Sequence, residues 1–108
     1  MSFKQSSSPT FKTLVTVNVP NDKGGHDKNT FTAFFKRPTS DERKELLELL
    51  HEDVVRRQLA KWEMKDDDTK EDVPFNDDTL NAVLQIWPAP LAIAQAFWEG
   101  INGARAKN

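Results

Sequence analysis

The chain has 108 residues, no cysteine, and 15 Lys and Arg against 17 Asp and Glu, a formal charge of −2. That length suits one domain with one modest core; the missing thiols exclude disulfides, thiolate nucleophiles and zinc ribbons, and the scattered basic residues argue against nucleic acid as the main partner. No apolar run approaches the ~20 residues of a membrane span, and Met1-Ser2-Phe3-Lys4-Gln5 lacks the apolar segment of a signal peptide, so a soluble, unexported protein without a membrane partner is expected.

Residues 1–10, with Ser6-Ser7-Ser8-Pro9 and few apolar groups, read as a flexible tail. A single domain is expected over 11–105. From Phe11 the apolar residues alternate (Phe11, Val15, Val17 and Val19 on one side, with only Leu14 out of step), which is the period of a strand. Pro20-Asn21-Asp22-Lys23-Gly24-Gly25 supplies turn residues, and Phe31, Ala33 and Phe35 alternate again, so 11–37 reads as a β-hairpin that Arg37-Pro38 ends.

Residues 38–105 read as helical. Thr39 followed by Glu42 is a capping-box signature. Behind it Leu46, Leu47, Leu50 and Val54 form one stripe that Val55, Leu59 and Trp62 continue with a sideways drift, which suits one helix over 39–63 or two joined near Glu52. Lys65 to Asp72 is a charged, solvated loop. Asn76 is the N-cap of a helix from Asp77 to about Ile86, with Phe75 and Leu80 at the two staple positions. Pro88 and Pro90 stop it, and a last helix runs from about Pro90 to Ala104. The expected class is α+β, mostly α: an N-terminal β-hairpin followed by three to four helices.

The polar residues offer no constellation that could hold a reacting atom. Asp66, Asp68 and Asp72 have near-regular spacing, but a calcium loop counted from Asp66 meets Lys70, Glu71 and Asp77 where Asp or Asn, Gly and Glu are needed. His26 and His51 lack a nucleophile motif beside them, and Gly24-Gly25 opens no helix and matches no phosphate-loop pattern. The expectation is no catalytic residue, no metal and no cofactor. The last helix is more informative. At about 100° per residue, Leu91, Ile93, Ala94, Phe97, Trp98 and Ile101 spread over roughly 160°, wider than the ~100° stripe of a single core contact. Leu91, Ile93, Phe97, Trp98 and Ile101 are therefore the candidate partner-binding residues, with Val15, Val17 and Phe31 of the hairpin as a second candidate surface.

Trp62, the acidic stretch Asp66 to Asp72, Val73-Pro74-Phe75-Asn76 with Leu80, and Pro88 to Trp98 with Ala96-Phe97-Trp98 follow one another in an order and spacing that resemble the tail assembly chaperones of long-tailed bacteriophages and prophages. Phe34-Phe35-Lys36-Arg37-Pro38-Thr39-Ser40-Asp41-Glu42 resembles the strand-to-helix passage of that family, so the likeness covers about residues 30 to 100. It implies a small non-enzymatic protein that coats the tape measure protein before the tail tube polymerises, self-associates, works in the host cytoplasm and is absent from the mature virion. Many members of that family are also made in a longer, frameshifted form. A structural tube or connector subunit of the tail is the alternative, and a helix-turn-helix DNA-binding regulator using Arg56, Arg57 and Lys61 is a more distant one.

Overall fold

The computed structural model describes residues 9–103. Its elements are β1 (Thr10–Pro20), β2 (His26–Lys36), α1 (Ser40–Leu46), α2 (His51–Gln58), β3 (Leu59–Glu63), α3 (Asp77–Leu84) and α4 (Ala89–Asn102). The strands form one antiparallel sheet in the order β1-β2-β3. The expected tail is corrected at its end, because the Pro9 carbonyl accepts from the Arg37 amide at 3.1 Å and Thr10 opens β1; the rest of that segment lies outside the described residues.

The hairpin forms where the alternation places it. Asn21 organises the turn: its Oδ1 accepts from the amides of Lys23 and Gly25, both at 3.0 Å, while Gly24 takes φ +84°, a backbone region that favours glycine. β1 and β2 then pair in register from Pro20↔His26 to Thr10↔Lys36. Val15, Val17, Phe31, Ala33 and Phe35 bury one face, and Leu14, out of step in the sequence, stands exposed on the other.

The expectation of a mostly helical chain is overturned. The described residues are 31% strand and 39% helix, and the sheet has a third strand. The stretch 39–63 is two helices, α1 and α2, joined just before Glu52 as the two-helix alternative had it, but its end from Leu59 is the strand β3 rather than helix. Thr39 does close a capping box: its hydroxyl accepts from the Glu42 amide at 3.1 Å, and the Glu42 carboxylate accepts from the Thr39 amide at 2.8 Å. α2 then passes directly into β3, whose Lys61, Trp62 and Glu63 pair with Phe34, Ala33 and Thr32. Between Phe34↔Lys61 and Phe35↔Leu59 the register slips by one residue, a bulge at Ala60. That extra residue puts Leu59 and Trp62, three apart, on the same buried face.

The helices cover the buried face of the sheet. α4 lies along β1, with α2 packed on α4. Phe97 sits at the centre, its ring 5.3 Å from that of Phe35 and 6.0 Å from that of Phe11. Phe11 in turn covers Gly100, where a Cβ would meet the Phe11 ring at 2.6 Å, so a larger residue there would displace that ring. Gln58, the one buried polar side chain among the described residues, donates from Nε2 to the Lys36 carbonyl at 3.0 Å, tying the end of α2 to the end of β2.

The remaining boundaries follow from local chemistry. The Asn76 side chain accepts from the Thr79 amide at 2.9 Å, and the Thr79 hydroxyl accepts from the Asn76 amide at 3.0 Å. α3 ends at Leu84, two residues before the expected Ile86, and α4 starts at Ala89 with Pro90 in its first turn, where no helical amide partner is lost. The expected end at Ala104 lies outside the described residues; α4 closes on Gly103 in the left-handed region, φ +69°.

Candidate functional site

The candidate partner-binding arc of α4 is not an open surface. Ile93 and Phe97 are fully buried inside the chain's own core. Trp98 and Ile101 are half-buried and pack against that core, and Leu91 is half-buried. The width of the arc reflects two intramolecular contacts, because α4 meets both the sheet and α2. Val15, Val17 and Phe31 are core as well, although Val17 and Phe31 floor a small hollow described below.

Large apolar side chains do reach solvent at two helix–helix turns. Leu50 is 76% exposed and Leu47 55% exposed in the α1–α2 turn; Trp87 is 65% exposed and Ile86 46% exposed in the α3–α4 turn. The first turn forms because the chain leaves the helical path after Leu46. The Glu48 and Leu49 amides bond the carbonyls of Glu45 and Leu46, both at 3.1 Å, and Leu50 takes extended backbone as the N-cap of α2. Leu49 rotates inward and half-buries, while Leu47 and Leu50 are left outside. In the second turn Pro88 cannot donate an amide to α3 and holds Trp87 off the helical path. Backbone bonds fix that turn, from the Ile86 amide to the Val83 carbonyl at 3.0 Å and from the Ala89 amide to the Ile86 carbonyl at 2.7 Å. The side chains of Ile86 and Trp87 are thus carried on an ordered backbone.

The two turns meet. Leu50 and Trp87 line one hollow of about 370 Å³, whose wall also includes Leu84 and Pro90 and whose polar groups are His51, Glu52 and Gln85. Ile86 opens onto a second hollow, of about 180 Å³, with Val17, Val19, Phe31, Met64, Val83 and Ala89, rimmed by Lys65 and Asp67. The α3–α4 turn is therefore a ridge between two apolar depressions. Isolated exposed leucines are ordinary, whereas here several large apolar side chains are grouped on one face. The sequence held one signal for it: Trp87 directly before a proline.

The other sequence candidates resolve as follows. The basic residues assigned to a DNA-binding face are engaged elsewhere: Arg56 pairs with Glu52 at 3.0 Å, Arg57 with Glu45 at 3.4 Å, and Lys61 lies over the Phe34 ring at 4.7 Å. The acidic loop is closed by the Lys65–Asp72 pair at 2.7 Å. Inside it the Asp66 carboxylate accepts from the amides of Asp68 at 2.8 Å and Thr69 at 3.0 Å. Those backbone bonds, Thr69 first, hold the Asp66 carboxyl below its ordinary value. A depressed carboxyl stabilises the loop above its unfolded-state pKa and loses that effect as pH falls through the folded value. Asp66→Ala is thus expected to lower the protection of the Asp68 and Thr69 amides against hydrogen exchange at neutral pH, and acidification below the usual carboxylate range to lower their protection, relative to intrinsic exchange at the same pH, in the unaltered chain. Unchanged exchange in the variant would show that the side chain does not hold the loop.

A cleft of about 990 Å³ at the far end of α4 is lined by Phe11, Lys12, Arg37, Arg43, Glu99 and Ile101 among others. It is mixed in polarity, and Glu99 and Arg37 are already engaged there. Among the described residues no single helix is long and apolar enough to cross a membrane. Compared with known proteins, the chain matches no family model, no curated protein and no solved structure.

Proposed function

We propose that this chain is a non-enzymatic tail assembly chaperone of a long-tailed bacteriophage or prophage, which binds the tape measure protein and keeps it soluble while the tail is built. The observation that carries the reading is the pair of exposed side chains, Leu50 and Trp87, set on two ordered turns around one apolar hollow. It is joined by the order of Trp62, the acidic stretch Asp66 to Asp72, Val73-Pro74-Phe75-Asn76 with Leu80, and Pro88 to Trp98 along the chain, which resembles that family. A long helical client aggregates through its apolar stripes, and a small domain with an apolar ridge between two depressions shields such a stripe by helix-in-groove contact. The reading places the protein in the host cytoplasm during morphogenesis and outside the finished virion.

Burying a Leu or Trp side chain contributes about 1.5–3 kcal/mol, so removing both at one surface weakens binding by two orders of magnitude or more. Co-expression of the unaltered chain with a tape measure protein is expected to keep the client in the soluble fraction. The Leu50→Ser, Trp87→Ser double variant is expected to leave it in the pellet while retaining the circular dichroism and thermal midpoint of the parent. A double variant as protective as the parent would place client binding on another surface. Finding the chain in purified virions at structural stoichiometry would turn the assignment toward a tube or connector subunit.

A further inference from the structure

The helices pack on one face of the sheet, and among the described residues the other face stays open. Side chains alternate along a strand. With Val15, Phe31, Ala33, Phe35 and Trp62 turned inward, Lys12, Leu14, Phe34, Lys36, Lys61 and Glu63 stand on the outward face. Lysines far apart in the sequence are gathered there by the register. Phe34 has Lys12 across from it on β1 and Lys61 across from it on β3, and Lys36 is the next outward residue of its own strand. Neighbouring strands lie about 5 Å apart and outward residues follow one another at about 7 Å. Three exposed lysines thus surround one half-buried ring, with Leu14, 51% exposed, on the next row. None of the three has an ion-pair partner among the described residues. Lys61 lies over the Phe34 ring at 4.7 Å, a contact that leaves its charge in place.

The surrounding charges set the limits of this patch. Glu63, across from Thr32, is the one carboxylate at an outward strand position. Toward the turn, Lys65 and Asp67 of the acidic loop stand beside Asn29 and Thr30, and Lys65 is paired with Asp72; Lys28 lies beyond, across from Asn18. Next to β1, Glu99 is already engaged and shares its cleft with Lys12, Arg37 and Arg43. Past Lys36 come Arg37, over the Phe11 ring at 5.9 Å, and then Asp41 and Glu42 in the first turn of α1, Glu42 being held by the Thr39 amide.

We infer that this face takes a short acidic segment of another polypeptide, whose apolar side chain meets Phe34 and Leu14 while carboxylates on either side of it meet Lys12, Lys36 and Lys61. Complementary charge of this kind sets partner choice and association rate, and it weakens with salt. A single nucleic-acid strand needs a continuing basic track and free ring faces on which its bases stack. Here Lys61 covers the ring, and Glu63 and the acidic loop interrupt the track. The three lysines line neither apolar hollow, so this surface is independent of the one that carries the reading above.

The test titrates the full, isotope-labelled chain with two short peptides that share a central Phe-Leu pair, one flanked by Asp and Glu and the other by Lys, while amide signals are followed. The acidic peptide is expected to shift the amides of Lys12, Leu14, Phe34 and Lys61, to bind at least about tenfold more tightly than the basic one, and to weaken severalfold from about 50 to about 500 mM salt. The Lys12→Gln, Lys36→Gln, Lys61→Gln triple variant is expected to lose that binding at an unchanged thermal midpoint, and the Leu50→Ser, Trp87→Ser variant to retain it. Equal binding of the two peptides, shifts confined to other residues, or loss of the acidic peptide in the Leu50→Ser, Trp87→Ser variant would each overturn the inference. An oligothymidylate that shifts the same amides and binds more tightly than the acidic peptide would overturn the assignment to a polypeptide.

Discussion

Replacing Phe97 by Ala is expected to lower the unfolding free energy by about 3–5 kcal/mol, a large share of the 5–15 kcal/mol that holds a typical domain together. Phe97 is fully buried, and it is the residue through which α4 meets the hairpin. Its ring lies edge-on to Phe35 at 5.3 Å and to Trp98 at 5.1 Å, and tilted against Phe11 at 6.0 Å. Truncation removes those contacts and leaves a void that a strand and two helices cannot all close around. Phe97→Asp goes further, because it places a carboxylate with no partner in the same void, and this variant is expected to be unfolded at 25 °C. Urea denaturation followed by circular dichroism checks both. A Phe97→Ala midpoint within about 1 kcal/mol of the parent would show that the ring is not central to the fold.

Trp62→Ala is expected to be comparably damaging, at about 3–5 kcal/mol, but through a different part of the molecule. Trp62 joins β3 to the segment after the acidic loop: its indole Nε1 donates to the Val73 carbonyl at 2.9 Å. Its ring stands edge-on to Phe75 at 4.9 Å and to Phe31 at 5.9 Å. Losing it leaves Val73 tied only through its own amide, which donates to the Met64 carbonyl at 2.8 Å, and strips Phe75 of its ring partner ahead of the Asn76 cap of α3. Trp62→Phe retains most of the apolar contact and deletes only the donor, so about 1 kcal/mol is expected. The two variants together separate ring packing from the hydrogen bond in the same denaturation assay. Equal losses in both would assign the whole effect to the indole N–H.

Much of this architecture is readable in the residues, and the places where it is not share a cause. The hairpin announces itself through strict alternation, and Thr39 and Asn76 mark helix starts through side chains that must satisfy orphan amides. The α1–α2 break has no such marker. No Gly or Pro stands between Leu46 and His51, so the stripe of leucines leaves one helix or two open and does not reveal that only Leu46 is buried and Leu49 half-buried. β3 hides for a related reason. A spacing of three between Leu59 and Trp62 is the mark of a helix face, and a bulge produces the same one-sidedness in a strand. The candidate site inherits both errors. Leucines assigned to an interior stripe turn out to face solvent, while the broad arc of α4 is consumed by two neighbours inside the chain. Periodicity reports how many apolar faces an element has, and tertiary packing decides which of them stays uncovered.

The three tryptophans stand at graded depths: Trp62 is buried, Trp98 half-buried and Trp87 open to water. Emission from a chain carrying phenylalanine in place of Trp62 and Trp98 would arise solely from the ridge. A soluble quencher would reach that indole freely in the unbound state and be shut out once a guest is seated, so occupancy becomes visible by light alone, without an added dye.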